Sequence, residues 1–153
     1  MKRPVVSTGF SFIELMIVIA VVGILTVISL MSLQSYREKV KVVDCAVGIK
    51  AIESTLMIFY LKDRTYPDGL ADVGLASMKD PWGRSYQYLK IAGATGGLGQ
   101  ARKDHFMVPI NTDFDVYSMG PDGKSSPPLT VKDSQDDIIR ANDGGYIGPA
   151  SKY

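Results

Sequence analysis

Cysteine is nearly absent from this chain of 153 residues, in which Cys45 is the only one. A lone cysteine cannot form a disulfide within the chain, so the loops must be held by other contacts. Histidine is equally scarce, because His105 is the single example. This scarcity argues against a zinc site and against a cysteine–histidine catalytic pair. We therefore expect a buried, structural Cys45 and a solvated or hydrogen-bonded His105.

An excess of positive charge is also missing. The chain has 17 basic and 16 acidic side chains, and two of the basic ones, Lys2 and Arg3, lie at its N-terminal end. A nucleic-acid surface requires a basic excess, so we expect no nucleic-acid partner.

Recognisable catalytic and cofactor motifs are lacking as well. Gly123-Lys124-Ser125 ends like a phosphate-binding loop, but Ser118 stands where that motif needs a glycine. The glycine-rich stretch at 93–99 lacks the spacing of a dinucleotide-binding fingerprint. The sequence also shows no nucleophile beside a base and no pair of catalytic carboxylates in a recognisable motif. We therefore expect that the protein is not an enzyme.

What the sequence has in abundance is one apolar run near its N-terminal end. From Phe10 to Leu33 the only charged side chain is Glu14. About 20 apolar residues are enough to cross a bilayer as a helix. A fully buried helix is the alternative, but a chain of this size has too little surface to cover one on all sides. The run therefore predicts a transmembrane helix over residues 10–33.

Glu14 is the anomaly in this run. A carboxylate inside a membrane is costly unless it is protonated or paired, and the basic residues Lys2 and Arg3 lie far upstream. A cut between Gly9 and Phe10 would create a free amine four residues before Glu14. Because residues four apart share a helix face, Glu14 can then meet the amine of its own chain or of a neighbour.

Residues 34–62 continue the helix without a breaker and carry one apolar stripe. Its members recur at alternating spacings of three and four residues: Val42, Cys45, Ile49, Ile52, Leu56 and Phe59. Glu53 lies mainly off this stripe, and Gly48 weakens the helix by roughly 1 kcal/mol relative to alanine. Turn residues at 66–69 predict a helix end near Lys62 to Arg64.

The remainder of the chain has the pattern of a small β domain. Residues 70–75 allow only a helical turn or two. Alternating residues then predict strands at 86–91, 104–110 and 114–119, with Pro109 at an edge or end. We expect an α+β fold, in which an antiparallel sheet of about three strands packs on the helix stripe.

The N-terminal residues also form a specific pattern: Lys2 and Arg3, then Gly9, then Phe10-Ser11-Phe12-Ile13-Glu14-Leu15 and a long apolar helix. This pattern resembles the signature shared by type IV pilins and the pseudopilins of type II secretion. The resemblance implies that a membrane prepilin peptidase cleaves after Gly9 and that Phe10 becomes N-methylated. It further implies assembly at an inner-membrane platform into a helical homopolymer, in which Glu14 pairs with a neighbour's N-terminus.

The resemblance also implies four segments. Residues 1–9 form the leader, 10–33 the transmembrane or filament-core helix, 34–62 the amphipathic helix and 63–153 a periplasmic pilin-like domain. The basic leader predicts a cytoplasmic N-terminus by the positive-inside rule. The chain is then a single-pass protein of the inner membrane before it enters a periplasmic or extracellular filament.

Two features favour the pseudopilin branch of the family. Asp80-Pro81-Trp82-Gly83 is similar to a motif of major type II pseudopilins, and this similarity implies that Trp82 is a packing anchor and that Asp80 ties down the turn. The lone cysteine excludes the disulfide of many type IV pilins. The expected function is therefore that of the major pseudopilin of a type II secretion system. The alternatives are a type IV pilin of a surface fibre and, outside filaments, a single-pass membrane protein with a small ligand-binding domain.

The acidic C-terminal part suggests a metal. Between residues 111 and 143 aspartates outnumber basic residues, and loop carboxylates can bind Ca²⁺ with its about six to eight oxygen ligands. A solvated acidic loop is the alternative. Residues 117–123 resemble the pseudopilin segment that opens a calcium loop. The resemblance implies a site with these donors: Asp122, main-chain oxygens such as that of Met119, and either Asp136 or Asp137. Packing by Ile138, Ile139 and Tyr146 is the rival means of holding the tail.

Overall fold

This computed structural model describes residues 9–94, 96 and 98–153. The chain divides into two compact units, the first ending at Glu38 and the second comprising Lys39–Tyr153. The expected leader lies outside the described residues except for Gly9, as do Thr95 and Gly97 of the glycine-rich loop.

The first unit is the N-terminal part of helix α1, which has the bounds Phe12–Asp63. Its most apolar window has a mean hydropathy of 2.7 and no buried residue, so by length and composition this helix could cross a membrane. The hydroxyls of Thr26 and Ser29 donate to the carbonyls of Val22 and Leu25 at 2.7 and 2.9 Å. These bonds suit a lipid environment, where a polar group has no water to bind.

The second unit combines the C-terminal part of α1 with an antiparallel sheet. Among the described residues, four strands follow in the order β1 Gln87–Lys90, β2 Phe114–Ser118, β3 Ile138–Ala141 and β4 Tyr146–Pro149, each paired with its chain neighbour. The expected α+β architecture is therefore confirmed, and α1 ends at Asp63 within the predicted range.

The helix stripe forms the core against one face of the sheet. Cys45, Ile49, Ile52 and Leu56 are fully buried and cluster with Phe114, Val116 and Ile138. Complete burial of each large aliphatic side chain contributes about 1.5–3 kcal/mol. Burial raises the pKa of the Cys45 thiol to about 11, which keeps this cysteine protonated and unreactive.

Gly48 has a packing role that the helix pattern did not indicate. A Cβ atom at this position would lie 2.2 Å from the hydroxyl oxygen of Tyr86. That hydroxyl donates to the carbonyl of Cys45 at 3.5 Å. The glycine therefore lets a tyrosine from the sheet side approach the helix backbone, which offsets its low helix propensity.

The other face of the sheet is covered by loops. Ile139 and Ala141 of β3 pack there with Ile110, Leu129 and Ala150. The loop between β1 and β2 is joined to the loop between β2 and β3 by a bond from the Leu129 amide to the Lys103 carbonyl, at 2.9 Å. Together these two loops form what we call the loop layer, residues 91–113 and 119–137.

The strand predictions are confirmed for β1 and β2 and wrong for residues 104–110. These residues fold back on themselves, because the amides of Asp104 and Met107 each donate to the other residue's carbonyl, at 3.0 and 2.7 Å. His105 at the turn has φ of 44°. It is exposed, and its Nδ1 lies 2.8 Å from a carboxylate oxygen of Asp104, as expected for a solvated, hydrogen-bonded histidine.

The turn at Asp80 is formed as predicted. Its carboxylate accepts from the amides of Trp82 and Arg84 at 3.0 and 2.9 Å, and its second oxygen accepts from the hydroxyl of Ser118 at 2.6 Å. Trp82 is half-buried and packs on the edge of the core. The carboxylate thus joins the turn before β1 to the end of β2.

An ion network links α1 to the sheet beneath the core. Arg140 is buried, and its Nε donates to Glu53 at 3.0 Å while its two terminal nitrogens donate to both oxygens of Asp113 at 2.8 and 2.7 Å. Its guanidinium carbon also lies 4.1 Å from the ring centroid of Phe114. The placement of Glu53 off the buried stripe was therefore wrong, since Glu53 is only 5% exposed.

Candidate functional site

The N-terminal segment brings Gly9, Phe10 and Glu14 together at the start of α1. Gly9 and Phe10 precede the helix and are exposed. Glu14 lies in the first turn, where one carboxylate oxygen accepts from the amide of Ser11 at 3.0 Å. This contact satisfies one of the amides that a helix N-terminus leaves without an intrahelical partner. An acid here is also favoured by the positive end of the helix dipole.

This geometry suits both roles that the resemblance assigns to the segment. The bond between Gly9 and Phe10 belongs to exposed backbone outside the helix, so a peptidase can reach it without unwinding a turn. A carboxylate at Glu14 lies within one turn of the amine that cleavage would create at Phe10. The same segment can therefore carry the cleavage site and the acid.

The C-terminal loop places Asp122 beside Asp136. The amide of Asp122 donates to a carboxylate oxygen of Asp136 at 3.2 Å, and the carboxylate of Asp122 accepts from the amide of Lys124 at 2.7 Å. The carbonyl of Met119 accepts from the amide of Gly123 at 3.1 Å. The carboxylate of Asp136, in the loop before β3, therefore contacts the backbone of the turn that carries Asp122, and Asp122 is exposed to solvent.

Asp137 instead faces the protein interior. It is fully buried, and its Oδ2 accepts from the hydroxyl of Ser125 at 2.6 Å and from the guanidinium of Arg102. Its Oδ1 is buried without a hydrogen-bond partner among the described residues. Burial raises the pKa of the Asp137 carboxyl to about 6, although Ser125 and Arg102 act in the opposite direction.

Two arginines that the sequence reasoning did not single out contact this loop. Arg84 donates to the carbonyls of Gly120 and Pro121 at 2.6 and 3.2 Å. Its guanidinium lies so close to Gly123 that a Cβ there would be 2.4 Å from Nε. Arg102 donates to the hydroxyl of Ser125 at 2.6 Å. The sequence shows an acidic loop and arginines scattered along the chain, but nothing in it indicates which arginine contacts that loop.

The residues present fit a calcium ion in part. The carboxylates of Asp122, on the turn, and of Asp136, which contacts the backbone of the turn, are hard oxygen donors of the kind that Ca²⁺ prefers. Within the described residues, however, no three acidic, histidine or cysteine side chains converge as a metal-binding group. Two of the turn's carbonyls already accept from Arg84. Any ion would therefore rely on Asp122, Asp136, the remaining main-chain oxygens and water.

Comparison with known proteins supports the family resemblance. The chain is 27% identical over 155 residues to the type II secretion system core protein G of Vibrio cholerae, covering 87% of this chain and 93% of that protein. It is 29% identical over 139 residues to the protein of the same name from Pseudomonas aeruginosa, covering 77% and 86%. A fimbrial protein of Neisseria meningitidis is 34% identical over 83 residues, covering 54% and 49%. No protein-family model and no solved structure matches the chain.

The long apolar helix, the small antiparallel sheet and these relatives support the assignment of the chain to a pilin-like family of filament subunits. Within that class it is close to the major pseudopilin, because the core protein G relatives match most of the chain. The fimbrial match covers only about half of it. The expected family and the expected type of function are thereby confirmed.

Proposed function

We propose that this chain is the major pseudopilin of a type II protein secretion system. Its copies would polymerise into a short periplasmic filament that helps to move folded proteins through the outer membrane. The observation that carries the proposal is that the core protein G relatives match 87% and 77% of the chain. The single cysteine adds support, because it leaves no disulfide to close the C-terminal loop.

A type IV pilin of a surface fibre is the second candidate. The fimbrial relatives favour it, since their identity to the chain is higher, though over a shorter length. Deleting the gene separates the two candidates. Loss of the pseudopilin should leave exported proteins in the periplasm, whereas loss of a surface pilin should remove fibres and leave secretion intact. The comparison with known proteins also supports a structural rather than an enzymatic role, because the relatives described above are pilins and secretion core proteins.

The proposal includes an assembly pathway through the inner membrane. The leader would stay in the cytoplasm and the second unit would lie in the periplasm, with residues 10–33 crossing the bilayer once. A prepilin peptidase would cleave after Gly9, and an inner-membrane platform would add the mature chain to the filament. The apolar run and the exposed Gly9 support this order of events.

Processing gives the first prediction. The chain isolated from membranes should begin at Phe10, carry one methyl group on its new amine and lack residues 1–9. Intact-mass analysis measures all three properties at once. A Gly9→Val variant, in which a branched side chain crowds the bond to be cut, should retain the leader. A wild-type chain that still carries Met1 would contradict the prepilin assignment.

We further propose that Ca²⁺ binds the turn at residues 119–123, through Asp122 and an aspartate from the following loop. The contacts described above favour Asp136 as the second ligand, because its carboxylate already touches the turn while that of Asp137 is engaged by Arg102. When bound, the ion would offset the repulsion between the two carboxylates and the entropy lost in ordering the loop. The rival account is that Arg84 and Arg102 order the loop without metal.

Calcium binding gives the second prediction. The full-length chain in detergent should melt at a higher temperature in millimolar Ca²⁺ than in chelator. An ion at about 100 times its dissociation constant adds roughly 2.7 kcal/mol to the folded state. Asp122→Ala should abolish the difference, and Asp133→Ala, at an exposed aspartate of the same loop, should preserve it. Equal melting temperatures with and without calcium would favour the arginine account.

A further inference from the structure

The turn at residues 104–107 presents an apolar tip to solvent. Phe106 is 102% exposed, and Met107 and Val108 beside it are about half exposed. The turn is closed by the two bonds between Asp104 and Met107, so its tip is held in one conformation. Adjacent exposed apolar side chains on a rigid turn are typical of a contact surface, whereas isolated ones need no explanation.

The turn is also anchored to the body of the second unit. The amide of Ile110 donates to the carbonyl of Arg102 at 3.0 Å, and the amide of Lys103 donates to the carbonyl of Pro127 at 3.1 Å. Arg102 itself is buried. Because these bonds already order the backbone of the turn, binding through Phe106 does not have to order the loop as well.

The second unit also contains a matching apolar groove. It lies between α1 and β4, has a volume of about 390 Å³ and is lined mainly by Val42, Val43, Ala46, Val47, Ile147 and Pro149. Val43 and Val47 are 61% and 63% exposed, so the groove is uncovered within this unit. It is large enough for an aromatic ring, since an apolar cavity of roughly 150 Å³ accommodates benzene.

The tip and the groove belong to opposite layers of the second unit. The groove is part of the helix side, where α1 packs on Phe114, Val116 and Ile138. The turn emerges from the loop layer, which covers Ile139 on the other face of the sheet. Complementary surfaces at different places on one molecule produce a heterologous contact, and repetition of such a contact builds an open helical assembly.

We propose that Phe106 of one subunit inserts into the groove between α1 and β4 of the next subunit in the filament. This inference rests on the proposed function, because it assigns a second subunit contact to a filament otherwise held by its N-terminal helices. Charge supports the pairing. Asp104, which also bonds His105, flanks the tip. Lys50, which pairs with Glu53 but whose side chain remains 60% exposed, borders the groove. A buried aromatic anchor with a complementary charged rim is typical of a binding hot spot.

Cysteine cross-linking tests the contact in assembled filaments. The native Cys45 is buried and protonated, so it contributes little background. A full-length chain carrying Phe106→Cys and Val47→Cys should form a ladder of covalent multimers on mild oxidation. The matched control pairs Phe106→Cys with Ala71→Cys, which is exposed but outside the groove, and should give no ladder.

A charge substitution gives an independent readout. Phe106→Asp should reduce association at each contact roughly thirtyfold, as expected for the loss of a hot-spot aromatic, and filament yield should fall at least as much. Val131→Asp, at another exposed apolar residue of the loop layer, should leave the yield unchanged. Thermal melting of both variants should match the wild-type chain, because neither side chain is buried.

The outcomes separate this contact from the proposed function. Filaments that form without the specific ladder, or that tolerate Phe106→Asp, overturn the contact and leave the filament role standing. Normal Phe106→Asp filaments with failed secretion would show that the tip binds another protein, which also overturns it. A wild-type chain that makes no filaments in cells with the assembly apparatus overturns the proposed function and this contact together.

Discussion

Replacing Glu14 by leucine is expected to stop filament assembly while leaving membrane insertion intact or improved. Insertion should not suffer, because an unpaired carboxylate in the apolar run disfavours it. Assembly should fail, because the neighbour's amine at Phe10 would be buried without its counter-ion. Removing one partner of a buried charge pair costs about 2–5 kcal/mol at an interface, which is roughly thirtyfold or more in affinity. Filament yield and the membrane-bound fraction of the chain measure the two effects separately.

Two further variants identify which property of Glu14 matters. Glu14→Gln keeps an acceptor for the Ser11 amide but removes the charge, so it should also fail to assemble. Thr26→Leu removes another polar side chain from the apolar run, one that bonds only its own helix backbone in the structure, and should assemble normally. Normal filaments from Glu14→Leu would show that the acid has no role in assembly.

The second large effect is expected at Arg140. An Arg140→Met variant should lose roughly 3–5 kcal/mol of unfolding free energy, because it removes the buried cation that pairs with Asp113 and, together with Lys50, with Glu53. Denaturant unfolding followed by the fluorescence of Trp82 measures this loss, since that single tryptophan packs on the core of the second unit. Lys132→Met, at an exposed basic residue, should change stability by less than about 0.5 kcal/mol.

A double variant tests the ion network itself. Combining Glu53→Gln with Arg140→Met removes one of the two carboxylates that lose Arg140 as a partner, so the combined loss should be smaller than the sum of the two single losses. Strict additivity of the two single losses would mean that Glu53 and Arg140 do not stabilise the fold as a pair.

Acid should weaken the same network. Burial acts to raise the pKa of Glu53, but Lys50 and Arg140 outweigh it, so the pKa lies below its usual value. A carboxyl with a lowered pKa in the folded state contributes stability that is present above its unfolded pKa of about 4.3 and is lost as pH falls. The stability difference between the wild-type chain and Arg140→Met should therefore shrink below about pH 4. Using this difference removes the contribution of Asp137, whose raised pKa has the opposite pH dependence.

Local patterns were sufficient for the helix and for two strands. The stripe from Val42 to Phe59 repeats every three or four residues, and this period is visible in the sequence without knowledge of what the helix packs against. Strands β3 and β4 were not foreseen, although Asp143-Gly144 between them is a hairpin signal. Their short apolar segments stand in an acidic stretch, where composition suggested a loop. Pairing of β3 with β2, and of β4 with β3, decided their conformation, and the contact between β2 and β3 is not visible in a window of a few residues.

The candidate functional residues also divide into those that the sequence indicates and those that only the fold distinguishes. Sequence position alone indicated Gly9, Phe10 and Glu14, because their pattern is contiguous along one helix start. It could not choose between Asp136 and Asp137, which are adjacent in the chain. The fold turns Asp136 toward Asp122 and buries Asp137 against Arg102. Both residues lie in the loop before β3, where no regular periodicity sets the direction of a side chain, so the choice required the path of the chain.

By itself, then, the sequence determined the apolar helix, its amphipathic continuation, the absence of an internal disulfide and the place of the candidate cleavage site. Each of these depends on residue types at fixed, short spacings. Tertiary structure alone decided which arginine meets which aspartate, why Gly48 stands against Tyr86, and that Phe106 remains uncovered on the loop layer. These outcomes depend on contacts between residues far apart in the chain, whose partners are fixed only when the sheet closes on the helix.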